Sequence, residues 1–96
     1  MSYEKIKEEF IKDGAEYINA KRQPFEQLSG PELDFAKYQY LENFQDYINH
    51  LNFRINALLD DYMISFHSLE EANAFQDYMK PTFDMLSRKY TEGIME

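Results

Sequence analysis

Leu41, Phe44, Ile48, Leu51, Ile55, Leu58 and Tyr62 succeed one another at alternating steps of three and four residues. A spacing that averages 3.5 places all seven on one narrow seam of an α-helix, whereas a strand would need period 2. A seam this regular predicts a helix built to lie against other helices. It constrains how the chain folds and carries no chemistry of its own.

The flanking segments repeat the pattern. Tyr3, Ile6, Phe10, Tyr17 and Ile18 form a stripe over a first helix that Ser2 can cap and that runs to about Ala20, with Glu4 well placed against the dipole of its first turn. Gly14 lies on this stripe, where it either admits a neighbouring helix closely or weakens its own. Pro24 argues against an unbroken helix through residue 28, and Leu28-Ser29-Gly30-Pro31-Glu32 is the clearest turn in the chain. The second helix is then expected from Pro31 to Phe66, on the order of 50 Å long at 1.5 Å per residue. Ser68-Leu69-Glu70-Glu71 reads as a capping box. It opens a third helix bearing Ala72, Phe75, Tyr78, Met79, Phe83, Leu86 and Tyr90, with Arg88 and Lys89 near its end, Gly93 as its stop and a kink or short break at Pro81.

These features predict an all-α fold over residues 1–96, a single domain with an antiparallel three-helix arrangement and a long central helix. The competing reading is α+β. Phe53, Ile55 and Ala57 alternate, as do Tyr62, Ile64 and Phe66, so a hairpin turning at Asp60-Asp61 would occupy residues 52–66. The seam running unbroken through Leu58 to Tyr62 favours the helix.

Composition narrows the function classes. Eighteen acidic residues against ten basic ones give a net charge of −8. Such a chain repels phosphate backbones and anionic membrane surfaces, so direct nucleic-acid or membrane binding is not expected. A protein partner with a basic surface is favoured, because complementary charge speeds encounter. The imbalance is greatest over residues 31–68, which carry six acids and only Lys37 and Arg54. With no cysteine, no apolar run of spanning length and a charged N-terminus, the chain is expected in the cytoplasm.

No catalytic motif emerges. None of the serines sits in a nucleophile elbow, and Ser29-Gly30-Pro31 is not a phosphate-cradling glycine array. Glu42, Asp46 and His50 stand at i, i+4 and i+8, with Arg54 one turn on. This strip could supply metal ligands, but it lies opposite the seam and has no partner strip, so it reads as a solvated face. His67 reads as a boundary residue beside the Ser68 cap. No metal or cofactor is expected, and an acid–base or metal-dependent enzyme built on Glu42, Asp46, His50 and His67 is the least favoured reading.

Aromatic placement is more informative. The chain holds eight Phe and eight Tyr. At 100° per residue, Phe35, Phe53 and Ile64 all fall roughly opposite the seam, where a helix packed on one side should show polar residues. Either the central helix is sandwiched between its neighbours, or this second face meets another molecule, or the hairpin reading holds around Phe53. Tyr38, Tyr40 and Tyr47 add amphipathic area on the same helix, and with Glu42 and Asp46 they could form an acidic-aromatic patch suited to Arg- or Lys-rich surfaces. Phe35, Tyr38, Glu42, Asp46, Phe53 and Ile64 are therefore the candidate partner-binding residues. The chain is expected to be a non-enzymatic binding module that occludes or sequesters a protein, as an inhibitor, immunity factor, adaptor or chaperone. A homodimer through the central helix is the alternative.

Overall fold

A computed structural model describes residues 3–94, and these are all-α, with no strand among them. The helices are α1 (Tyr3–Arg22), α2 (Gly30–Glu42), α3 (Phe44–Asp61) and α4 (Leu69–Thr91), with a 3₁₀ helix, η1 (Gln23–Gln27), joining α1 to the turn before α2. The expected cap at Ser2 lies outside the described residues. The alternative hairpin over 52–66 is not formed. Residues 52–61 belong to α3, where Ile55 and Leu58 face the core as the seam requires.

The long central helix is a correction. It is two helices, parted at Asn43 and ending at Asp61 rather than Phe66. The amide of Asn43 still reaches the carbonyls of Gln39 and Tyr40, and α3 restarts with Asp46 and Tyr47 donating to the Asn43 carbonyl. A short polar side chain at this position readily leaves helical geometry, and hydrophobic spacing does not report it. At its other end α3 closes in a Schellman motif: Ile64 N–H donates to the Leu59 carbonyl at 2.8 Å and Met63 N–H to the Asp60 carbonyl at 3.0 Å. The residue in the left-handed position is Met63, with φ +55°, where glycine is usual.

Pairwise packing of α1, α3 and α4 makes the body of the molecule. Contacts ascend together on α1 and α4, from Tyr3–Phe75 through Phe10–Phe83 to Arg22 at the carbonyls of Tyr90 and Glu92. On α3 they descend, with Asp13 meeting Arg54 and Tyr17 meeting Tyr47. Ile6, Phe10, Leu51, Leu58, Phe75, Met79 and Leu86 are buried here. Each large apolar side chain so buried contributes about 1.5–3 kcal/mol. Gly14 is a point of close approach. A Cβ there would stand 2.8 Å from Leu86 Cδ1 and 3.1 Å from the Tyr47 hydroxyl.

Helix α4 continues through Pro81 without the short break that was one of the two expectations there. Pro81 and Asp77, whose carbonyl loses its partner, are both exposed, so water can satisfy it. Ser68 caps α4 as expected, its hydroxyl accepting from Glu71 N–H at 3.2 Å. The Glu71 carboxylate returns to His67 N–H at 2.8 Å, one residue earlier than a standard box. Gly93, with φ +71°, follows the end of the helix.

The molecule measures 53 × 19 × 17 Å. The 20 residues of α1 account for only about 30 Å of that length. Helix α2, with one buried residue, is an arm that touches η1, α3 and, through Tyr40, α4.

Candidate functional site

Only one residue of α2, Tyr40 at its last turn, is buried. Its ring stacks on that of Tyr90 with centroids 4.0 Å apart and planes 7° from parallel. The pair is locked reciprocally, each hydroxyl donating to the other residue's backbone carbonyl. Arg22 completes the joint. Its Nε donates to the Tyr40 hydroxyl at 3.1 Å, while Nη2 donates to the carbonyls of Lys89, Tyr90 and Glu92 at 2.7–3.0 Å. A cation at a helix C-terminus meets both the unpaired carbonyls and the negative end of the dipole. Phe25 packs edge-on to Tyr40, and Phe44 and Tyr47 pack on Tyr90. Burial in this cluster drives the tyrosine hydroxyls of Tyr40, Tyr47 and Tyr90 to higher pKa, so they stay protonated as donors.

This joint fixes where α2 projects, and it corrects the expected acidic-aromatic patch: Tyr40 and Tyr47 are buried, leaving Tyr38 alone of the three exposed. The sequence places Tyr90 on the α4 stripe and does not single out Arg22. Tyr40 lies off the seam, and Arg22 reads as an ordinary basic residue in the last turn. The available signal was weak: a basic residue just ahead of a proline-marked break, and a tyrosine surplus larger than the stripes require.

Beyond the joint, α2 and the outer side of α3 stand in solvent. Phe35 is 65% exposed, Tyr38 57% and Phe53 67%, and Glu42 and Asp46 are also exposed. The sandwich that would have buried Phe35 and Phe53 is therefore absent. Ile64 departs from the expected face. It lies past the end of α3, half-buried against the core as the hydrophobic member of the Schellman motif. Phe35 lies on α2 and Phe53 on α3, on opposite sides of the break at Asn43. The outer strip thus has an aromatic pair on the arm, a carboxylate pair in the middle and a lone Phe beyond.

The strip Glu42–Asp46–His50–Arg54 divides, correcting its reading as one solvated face. Arg54 turns to α1 and pairs with Asp13, Nη2 to Oδ2 at 2.7 Å. His50 stacks on Tyr17 with centroids 4.6 Å apart. Burial, then the nearby Arg54 charge, lowers the His50 pKa, against a smaller opposing pull from Asp13. Both are half-buried, because the α1–α3 contact is wider than the apolar seam. Glu42 and Asp46 remain in water. Among the described residues no three His, Asp or Glu side chains converge as a metal-holding group, and no helix is long and apolar enough to cross a membrane. His67 is exposed beside the α4 cap.

With Arg54 engaged by Asp13, the acids Glu32, Asp34, Glu42 and Asp46 of α2 and early α3 have only Lys37 among them as a counter-charge. The exposed face is both aromatic and negative. No protein-family model, curated protein or solved structure matches the chain.

Proposed function

We propose that this protein is a small, acidic, non-enzymatic binding module. It acts by occluding or sequestering a protein partner with a basic surface, as an inhibitor, immunity factor, adaptor or chaperone would, in the cytoplasm. On this reading α1, α3 and α4 form an antiparallel three-helix body, and α2 is the element it presents. The observation that carries the reading is the exposure of Phe35 and Tyr38 on a helix with one buried residue. Aromatic side chains of this kind act as interface anchors, and the surrounding carboxylates would steer cationic partners and repel nucleic acid. Arg side chains can engage the Phe35 and Tyr38 rings and the Glu42 and Asp46 carboxylates together.

The test is affinity capture from native lysate at low and high salt, with the double variant Phe35→Ser/Tyr38→Ser as control. A basic partner retained at stoichiometric amount at low salt, and lost with the double variant, supports the reading. Equal capture by the double variant refutes it.

A second reading is favoured by the same exposed rings: a homodimer through the central helices using Phe35 and Phe53. Sedimentation equilibrium decides this. A dimer that Phe53→Asp converts to a folded monomer supports it, and a monomeric parent protein removes it.

A further inference from the structure

A cleft of about 230 Å³ lies between η1, α2 and the end of α4, and neither Phe35 nor Tyr38 lines it. Its walls are Pro24 and Phe25 of η1, Ala36 and Tyr40 of α2, and Tyr90 of α4, with Lys21 at the rim. The space is that of one large side chain. Its Tyr40 and Tyr90 walls are held in place, because the two rings are stacked and reciprocally hydrogen-bonded, and proline stiffens η1 beside them. A pocket already in shape saves an incoming group the cost of ordering it.

Charge distinguishes this cleft. The α3–α4 groove is rimmed by Asp77 and Asp84, and the depression at Arg54 by Asp13 and Glu16. The Tyr40 cleft has no carboxylate in its lining, and Lys21 is its one cation. Among the described residues Lys21 makes no salt bridge; its ammonium rests over the Tyr17 ring, 5.5 Å from the centroid. Gln39 and Asn43 also line the cleft. On a protein of net charge −8, an apolar slot with an available cation and two amide residues suits an anion, not the cations the outer face suits.

We propose that this cleft receives the C-terminal residue of a polypeptide ending in an aromatic side chain. The ring occupies the slot between Phe25, Ala36 and Tyr40. The terminal carboxylate takes the Lys21 ammonium, and the last peptide group meets the Gln39 and Asn43 amides. Capture of a chain terminus by a charge beside an apolar slot is an established recognition mode. The proposal assumes that the chain is a protein-binding module but uses a surface separate from Phe35 and Tyr38, so the two fail separately.

The experiment is amide chemical-shift titration of the full chain with acetyl-Gly-Ser-Gly-Phe as free acid, the same peptide as C-terminal amide, and 3-phenylpropionate. The free acid should shift Lys21, Ala36, Gln39 and Asn43 with a Kd on the order of 1 mM. The C-terminal amide should bind about fivefold more weakly, the scale of an exposed ion pair. Lys21→Met should abolish that difference while keeping the aliphatic stem. Ala36→Leu, which enlarges a side chain lining the cleft, should block the slot; its melting temperature checks that it folds. Absence of shifts at these residues overturns the proposal, as does indifference of binding to Lys21→Met or to Ala36→Leu in folded protein. Binding of 3-phenylpropionate as tight as the peptide acid overturns the polypeptide assignment in favour of small aryl carboxylates. The Phe35→Ser/Tyr38→Ser variant should bind the peptide normally, so loss of lysate capture in that variant and loss of peptide binding in Lys21→Met report on different surfaces.

Discussion

Gly14→Ala sets two well-measured effects against each other. Alanine in mid-helix is favoured over glycine by up to about 1 kcal/mol, so in an exposed helix this change would stabilise. Here the new Cβ would sit 2.8 and 3.0 Å from the two Leu86 methyls and 3.1 Å from the Tyr47 hydroxyl. Methyl groups at a side-chain tip can often swing aside, but Leu86 and Tyr47 are both 0% exposed and have no free volume to enter. Tyr47 is further held by its hydrogen bond to the Gly14 carbonyl at 3.3 Å. The crossing must widen, at an overpacking cost of about 2–3 kcal/mol near the upper end of its usual range. Subtracting the propensity gain leaves a net loss of about 1–2 kcal/mol. In a domain this small that lowers the melting temperature by about 4–16 °C. Thermal unfolding followed by circular dichroism measures it, with Ala15→Gly, one position along α1, as the propensity control. A melting temperature that rises in Gly14→Ala would show that close approach does not explain the glycine.

Other outcomes follow from local features. Met63→Gly should stabilise by about 0.5–1 kcal/mol, because Met63 holds a left-handed conformation at φ +55° while its side chain is 89% exposed; urea midpoints would show it as an increase. Arg22→Met should destabilise by about 1.5–3 kcal/mol by stripping the α4 carbonyls and the Tyr40 hydroxyl of their donor, and Arg22→Lys should recover little, since a single ammonium cannot reproduce the fork. Because the His50 pKa is lowered on folding, the unfolded chain takes up its proton first as pH falls below 6.5. Stability is therefore full above that pH and declines as pH falls towards the lower folded value. His50→Gln should flatten this part of the pH–stability profile.

The body of the fold was legible because it is written in period. The Ile6–Phe10 stripe, the Leu41–Tyr62 seam and the Phe75–Tyr90 stripe point inward, apart from Tyr78, which is 39% exposed, and the caps at Ser68 and Gly93 sit where short-range signals place them. The break at Asn43 was not legible, because the seam passes from Leu41 to Phe44 at a step of three whether or not the hydrogen-bond ladder holds. Ile64 was misassigned for the same reason: the wheel was carried past Asp61, where the chain turns through Met63. At the candidate face, exposure of Phe35 and Phe53 follows from their position opposite the seam. The Arg22–Tyr40–Tyr90 joint was hidden because it unites residues 18 and 50 positions apart through backbone carbonyls, which no side-chain pattern encodes.

The design of α2 links fold to proposed function. Isolated helices shorter than about 12–15 residues are marginal in water, and α2 has 13 residues with only Tyr40 buried. Its order is drawn mainly from one end, through Tyr40, Tyr90 and Arg22, so its first turns belong to the least stable part of the molecule. A partner covering Phe35 and Tyr38 would add the missing burial there, and folding of the arm would tighten as binding proceeds. Amides early in α2 should therefore exchange faster than those of α3 and α4 in the free protein, and slow on addition of the captured partner. Arg22→Met should speed exchange across α2 well before it alters the centre of α1 or α4. Equal protection of α2 and α3 in the free protein would mean that the arm is as firmly held as the body, and its exposed aromatics would then bind as a preformed surface.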